Sequence, residues 1–80
     1  MCRTAPFRGG TYIVGTDIAP GTWRSSGGPG CYWERESGFS GTLDDIIAND
    51  LTNSPAIVTI SSSDKGFEAG AECGTWTKIG

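Results

Sequence analysis

The chain has 80 residues, of which 13 are glycine and 4 are proline, and its formal net charge at pH 7 is −3. Glycine and proline destabilise helix interiors, so this composition excludes a long helical bundle. No apolar stretch approaches the roughly 20 residues that span a bilayer, and we expect no membrane insertion. The acidic balance and the lack of a basic run argue against nucleic acid as a partner, because phosphate binding depends on Lys and Arg.

The start of the chain predicts a flexible N-terminal arm over residues 1–9. Pro6, Gly9 and Gly10 disfavour regular structure there, and so short a segment buries too little surface to offset its ordering entropy. We expect the arm to order only against a partner, through two charges and one apolar anchor. These candidate partner-binding residues are Arg3, Phe7 and Arg8. Residues 10–80 are then expected to form a single β domain.

Short runs rich in Thr, Val, Ile and aromatic residues follow, separated by turns that contain Pro, Gly, Asn or Asp. The predicted strands are residues 11–14, 22–25, 31–36, 56–60, 67–69 and 74–79. Six short strands at nearly regular spacing predict an all-β fold, either a small antiparallel β-sandwich or a barrel.

One segment departs from the β pattern and predicts a short helix over residues 43–49. Leu43, Ile46 and Ile47 fall on one helical face. Thr42 is placed to cap this helix, and two aspartates occupy its first turn, where the helix dipole favours anions. We expect the three apolar side chains to dock on the sheet.

Three cysteines leave the disulfide pattern open. Cys31 and Cys73 lie in strand-like contexts, whereas Cys2 lies in the predicted arm. A bridge between Cys31 and Cys73 closes a loop of about 43 residues and contributes roughly 4 kcal/mol in the chain-entropy model. We favour this bridge, while a bridge through Cys2 and free thiols remain as alternatives. A disulfide indicates an oxidising compartment, yet the N-terminus has no apolar signal segment, which suits a trimmed mature domain or a virion protein oxidised after lysis.

Alternation along the third strand predicts which of its side chains point inward. Cys31, Trp33 and Arg35 share one face, and we expect this face to be structural, with Trp33 packed on the bridge. A guanidinium at the edge of the core needs a charged partner, and Asp17 and Asp64 in the turns are the candidates.

The opposite face of the same strand carries Tyr32, Glu34 and Glu36. Tyr32 is a candidate partner-binding residue, because exposed aromatic side chains anchor protein interfaces. The two glutamates lie side by side on this face rather than on either side of a substrate, as a glycosidase requires. We expect them to form a solvated surface.

No residue is assigned a catalytic or metal-binding role. The chain contains no histidine, so neither a Ser-His-Asp triad nor a cysteine nucleophile with a histidine base can form. The oxygen donors between residues 44 and 53 lack the spacing of an EF-hand, and we expect no calcium there. The prediction is a protein without enzymatic activity, cofactor or metal.

Five ordered sequence blocks make the chain resemble a known family. The blocks are residues 10–24 (GTYIVGTDIAPGTWR), 31–35 (CYWER), 45–49 (DIIAN), 64–67 (DKGF) and 73–76 (CGTW). Over roughly residues 9–77 they resemble a family of small extracytoplasmic domains from actinobacteria and the phages that infect them. The resemblance implies an all-β fold, a disulfide between Cys31 and Cys73, and no enzymatic activity.

These observations together predict a non-enzymatic structural or binding module. The leading interpretation is an accessory protein on the surface of an actinobacteriophage virion, either a capsid decoration or a tail-associated protein, because no signal segment is present. The alternative is a secreted or surface-anchored domain of the actinobacterial cell envelope. In both cases the expected partner is a protein, a component of the virion or of the envelope, and a homo-oligomer remains open.

Overall fold

Seven short strands pair into two antiparallel sheets in the computed structural model, which describes residues 4–39 and 43–80. The four-stranded sheet has the order β1 (Gly10–Ile13), β6 (Gly66–Ala69), β3 (Cys31–Glu36) and β4 (Ile46–Thr52). The three-stranded sheet has the order β5 (Ile57–Ile60), β2 (Gly21–Ser25) and β7 (Trp76–Lys78). Two 3-10 turns, Leu43–Asp45 and Ala71–Cys73, complete the described elements. The predicted all-β fold is confirmed.

Aromatic side chains from both sheets form the core. Trp23 on β2 and Trp76 on β7 are fully buried, as is Phe67 on β6 of the other sheet. The rings of Phe67 and Trp76 meet edge to face, with centroids 5.1 Å apart. Large apolar areas are thereby removed from water, which is how a chain of this length obtains a stable core. The Trp23 indole Nε1 donates a hydrogen bond to the Ala19 carbonyl oxygen at 3.0 Å.

A disulfide joins Cys31 at the start of β3 to Cys73 in the second 3-10 turn. Both cysteines are fully buried, and 42 positions separate them in the sequence. This bridge ties the four-stranded sheet to the segment that leads into β7, so it links the two sheets covalently. The predicted pairing is confirmed.

The predicted helix over residues 43–49 is wrong. Only Leu43–Asp45 forms a single 3-10 turn, and the chain then continues as strand β4, paired with β3. Seven residues are too few for a stable isolated helix, whereas the edge of β3 offers backbone hydrogen-bonding partners to a segment that begins with two β-branched isoleucines. Leu43 is 84% exposed and Ile47, at a register shift opposite β3, is 47% exposed, so neither docks on the sheet. The predicted cap, Thr42, lies outside the described residues.

The predicted arm is wrong at Phe7, which is only 3% exposed and belongs to the core. Its backbone N–H donates to the Trp76 carbonyl oxygen at 3.0 Å, and the Trp76 N–H donates back at 2.7 Å. Its ring lies 4.6 Å from that of Tyr12 and 4.8 Å from that of Trp23. An aromatic slot between the sheets therefore binds this segment within the domain, and Phe7 is unavailable to a partner. Arg3 lies outside the described residues.

Arg35 pairs with Asp64, one of its two predicted partners. The guanidinium Nε and Nη2 donate to the two carboxylate oxygens at 2.6 and 3.1 Å, which is the bidentate geometry that arginine favours. The Asp64 side chain is nearly fully buried, and the Ser61 N–H also donates to it at 3.0 Å. The other candidate, Asp17, instead accepts a hydrogen bond from the Ile13 N–H at 2.9 Å and closes its own turn. Trp33 packs against Phe67, with ring centroids 6.4 Å apart.

No helix among residues 4–39 and 43–80 is long and apolar enough to cross a membrane.

Candidate functional site

Charge is divided unequally between the two sheets. All nine aspartates and glutamates lie outside the three-stranded sheet, whose strands carry Arg24 and Lys78. The four-stranded sheet carries one base, Arg35, which is paired internally. Its strands also carry four acids, namely Glu34, Glu36, Asp50 and Glu68. The domain therefore presents a cationic sheet and an anionic sheet.

Arg24 lies at the centre of the outward face of the three-stranded sheet. Its neighbours along β2, Trp23 and Ser25, are buried, so alternation places Arg24 outward. In register it lies between Ile57 of β5 and Thr77 of β7, both exposed. Its guanidinium makes no hydrogen bond or ion pair with any residue within 4–39 or 43–80. An unpaired cation thus occupies the middle of a sheet that has no acid.

An open groove of about 380 Å³ runs beside Arg24. Its walls are formed by Arg24, Ser25, Ser26, Thr75, Thr77 and Ile79. The hydroxyls of Ser25 and Ser26 are used internally, accepting from the Ala56 N–H at 2.8 Å and from the Thr75 N–H at 3.0 Å. Within the described chain, the hydroxyls of Thr75 and Thr77 make no hydrogen bond, so they can serve a ligand.

The four-stranded sheet brings together Glu34 and Glu36 of β3 and Glu68 of β6. Each offers a carboxylate oxygen within 4.8 Å of the others. Glu34 lies directly opposite Glu68 in the antiparallel register, and their carboxylate oxygens lie within 4.8 Å of each other. Like charges this close disfavour ionisation of both carboxyl groups. The cluster is therefore arranged to hold a proton, and we assign no metal to it.

The expectation that Glu34 and Glu36 form a solvated surface is wrong. Glu34 is only 8% exposed, and one carboxylate oxygen of Glu36 is buried without a hydrogen-bond partner among the described residues. Opposite Glu36 lies Gly66, where a Cβ would come within 3.0 Å of both the Phe39 ring and the Glu36 carboxylate. The missing side chain at Gly66 lets Phe39 and Glu36 lie close over the sheet.

Burial sets the protonation of the cluster. Desolvation raises the pKa of Glu34, and the charge and hydrogen bond of Glu68 raise it further. Desolvation also raises the pKa of Glu36, with added repulsion from Glu34, Glu68 and Asp45. The folded domain consequently holds protons that the unfolded chain has released at the same pH.

We expect the domain to be more stable at pH 5 than at pH 7. Carboxyl groups whose pKa is raised on folding bind more protons in the native state, so the free energy of unfolding falls as pH rises from about 4.5 towards neutrality. Glu34→Gln keeps a hydrogen-bonding side chain without the charge and should be more stable than the wild type at pH 7. Urea unfolding at the two pH values measures both effects.

The matched control is Glu72→Gln, which neutralises an exposed glutamate outside the cluster. It should keep the pH dependence of the wild type, whereas Glu34→Gln should reduce it. A wild-type domain that gains stability from pH 5 to pH 7, or a Glu34→Gln variant with unchanged pH dependence, would show that the cluster does not hold its proton in the folded state.

The remaining predicted site residues do not form one surface. Arg8 is exposed, and its carbonyl oxygen accepts a hydrogen bond from the Tyr12 hydroxyl at 2.7 Å. Tyr32 is partly buried, and its hydroxyl accepts a hydrogen bond from Asn49 Nδ2 at 3.2 Å. Because Phe7 is in the core, the predicted combination of Phe7, Arg8 and Tyr32 offers no common binding face.

Polar side chains between residues 44 and 53 accept hydrogen bonds from backbone N–H groups of the domain. Asp50 Oδ1 accepts a hydrogen bond from the Leu51 N–H at 2.8 Å, and Asn53 Oδ1 accepts one from the Gly30 N–H at 3.1 Å. The groups that do cluster are Glu34, Glu36 and Glu68. Alternation along β3 brings the first two together, but no spacing rule points to Glu68 on β6. The sequence also did not lead us to Arg24 as a candidate site residue, although alternation around the buried Trp23 predicts that its side chain points outward.

Comparison with protein families gives a match over nearly the whole chain. The model of the Rv1352-like extracellular domain matches residues 4–77. The chain belongs to this family. The match begins before Phe7, in agreement with the burial of that residue in the core. Comparison with curated proteins and with solved structures finds no match.

The family places the chain among extracellular domains, as the resemblance implied. It favours the secreted or cell-envelope interpretation, which was the alternative. The leading interpretation, an accessory protein on a phage virion, receives no support from it.

Proposed function

We propose that the protein is a non-enzymatic binding module of the cell envelope, either secreted or surface-anchored. The observation that carries this proposal is the match to an extracellular domain family over residues 4–77. Its function is to hold an envelope component on its surface without changing it chemically.

Two structural features support an extracellular role. The disulfide between Cys31 and Cys73 is fully buried, and such bridges persist in oxidising compartments outside the cytoplasm. The two sheets expose faces of opposite charge, which gives a small rigid domain one surface suited to an anionic component and another that would repel it.

The lack of histidine supports a binding function over catalysis, because the commonest general base is missing. The one close group of carboxyl groups, in the part of the chain that the structure describes, is Glu34, Glu36 and Glu68, with oxygens within 4.8 Å. Glycosidase carboxyl pairs stand about 5 Å or more apart on either side of a substrate. Carboxyl groups gathered this closely on one sheet face leave no room for a substrate between them.

The proposal predicts that the purified, oxidised domain co-sediments with envelopes isolated from the organism that encodes it. Binding should saturate and should be displaced by excess unlabelled domain, and mass spectrometry should find the bound component unchanged. The control is the same chain reduced and alkylated at Cys31 and Cys73 in denaturant, with loss of the fold checked by circular dichroism.

A domain that stays in the supernatant at all concentrations would contradict the envelope proposal. Sedimentation of the alkylated chain to the same extent as the folded domain would also contradict it, since binding would then not depend on the structure. Retention on phage particles with none on envelopes would replace it with the virion interpretation.

A further inference from the structure

We propose that the groove beside Arg24 binds an acidic glycan, a polyhydroxylated chain that carries a carboxylate or phosphate group. That the ligand is a glycan of the cell envelope rests on the proposed function. The site itself rests on the geometry of the three-stranded sheet.

The anionic group would bind Arg24. This guanidinium is exposed, has no partner among the described residues, and lies on a sheet whose strands contain no aspartate or glutamate. The other described arginine within a strand, Arg35, shows the contrast, because it is held by the buried carboxylate of Asp64. A planar guanidinium free to donate two parallel hydrogen bonds matches carboxylate and phosphate oxygens.

The hydroxyl groups of the glycan would bind next to this charge. Thr77 lies directly opposite Arg24 in the register of β2 and β7, and Thr75 lies further along the same wall of the groove. Neither hydroxyl has an internal hydrogen bond in the described chain, so each can both donate to and accept from a sugar hydroxyl.

Apolar contacts lie on the same face. Ile57 is 64% exposed on one side of Arg24, and Ile79, 54% exposed, lines the groove on the other. Their aliphatic surfaces suit the carbon-bound hydrogens of a sugar ring. A volume of about 380 Å³ lies within the range of roughly 300–1,000 Å³ that is usual for small-ligand sites.

The open shape of the groove favours a polymer over a small metabolite. An exposed ion pair contributes little in water, so a single sugar unit should bind with a dissociation constant on the order of millimolar. Repeated acidic units along a glycan would raise the effective concentration and retain the domain without any tight single site.

The test is a titration of the oxidised, ¹⁵N-labelled domain followed by NMR at constant ionic strength. The probes are D-glucuronate, which carries a carboxylate, glycerol 3-phosphate, which carries a phosphate, and uncharged D-glucose. We expect saturable shifts of the Arg24, Ser26 and Thr77 amides with at least one anion. Glucose should bind several-fold more weakly, and the anion that binds more strongly identifies the acidic group.

Two variants locate the site. Arg24→Gln should weaken anion binding several-fold, whereas Lys65→Gln removes the same charge from an exposed position outside the groove and should bind as the wild type does. Thr77→Val, which keeps the preference for strand, should weaken binding several-fold and tests the groove independently of charge.

The inference would be overturned by a lack of saturable shifts with both anions, by equal binding of glucose, or by Arg24→Gln binding like the wild type. These outcomes are separate from those of the envelope experiment. If the domain does not sediment with envelopes, the NMR result still stands. If the domain is retained on envelopes and Arg24→Gln does not change this retention, it binds envelopes through another surface.

Discussion

Replacing Phe7 with alanine should destabilise the domain by about 3–5 kcal/mol, the usual cost of removing a fully buried phenylalanine. The ring contacts those of Tyr12 and Trp23 directly, and its backbone is hydrogen-bonded to that of Trp76. The cavity left behind would be enclosed by aromatic rings that cannot all close in on it. A chain of this length is stable by only about 4–12 kcal/mol, so the variant should lose a large part of its stability. Urea unfolding measures the change.

The matched control is Phe39→Ala, which truncates the same side chain where it is 53% exposed. We expect it to cost no more than about 1 kcal/mol, because most of the Phe39 ring already contacts water. If Phe7→Ala cost no more than Phe39→Ala, Phe7 would be part of a free N-terminal arm and the core described above would be wrong.

Replacing both Cys31 and Cys73 with alanine should cost roughly 4 kcal/mol, the second large effect. The bridge closes a loop of about 43 residues and restricts the unfolded chain accordingly. It also fixes β3 against the segment that enters β7, so the two sheets should separate more readily without it. Thermal unfolding followed by near-ultraviolet circular dichroism reports the loss through the buried tryptophans.

Both the parent and the double variant should carry Cys2→Ser, so that no other bridge can form in either. Reduction of the parent should then lower its stability to that of the double variant, apart from the small volume difference between cysteine and alanine. A double variant as stable as the oxidised parent would mean that the bridge contributes nothing to the fold.

The sequence predicted strands that are set by local pattern. The runs at residues 22–25, 31–36 and 56–60 alternate or are rich in β-branched residues, and strands β2, β3 and β5 lie there. The Cys31–Cys73 pair was favoured for the same local reason, because both cysteines stood in strand-like segments, and the resemblance agreed. These features depend on period and propensity, which a single sequence contains.

The two errors of fold have tertiary causes. Ile46 and Ile47 with Leu43 matched one helical face, but the free edge of β3 determined their conformation instead. Phe7 stood in a segment marked as irregular by its proline and glycines, and its burial comes from an aromatic slot formed by strands far along the chain. The local sequence gives the conformational preference of a short segment. It does not reveal the distant strand or side chains whose contacts override that preference.

The candidate sites were partly accessible from sequence. Alternation correctly placed Glu34 and Glu36 on one face of β3, but their burial depends on Glu68 from β6 and on the bare backbone of Gly66. The groove beside Arg24 likewise requires β2 to lie between β5 and β7, an order that the sequence does not reveal. Asp64 could be proposed as a partner of Arg35 because alternation along the strand placed the guanidinium at the core edge, where a charge needs a partner, and Asp64 lay in a predicted turn.

The opposite charges of the two sheets suit them to different roles. Desolvation, with added repulsion, raises the pKa of Glu34 and Glu36 in the four-stranded sheet, while the strands of the three-stranded sheet carry no acid. Negative charges on the four-stranded sheet repel an anionic partner. Such repulsion helps to exclude wrong binding orientations and wrong ligands. An anionic envelope component should therefore meet the domain through its three-stranded sheet.

The most direct test of the central claim, a disulfide-stapled domain that functions outside the cytoplasm, is the redox state and location of the protein in the organism that makes it. Cells are fractionated in the presence of a thiol-blocking reagent, and the protein is digested with trypsin without reduction. We expect protein from the envelope or the medium to yield residues 25–35 and 66–78 as one cross-linked peptide pair. Recovery mainly from the cytoplasm, with Cys31 and Cys73 both alkylated, would contradict it.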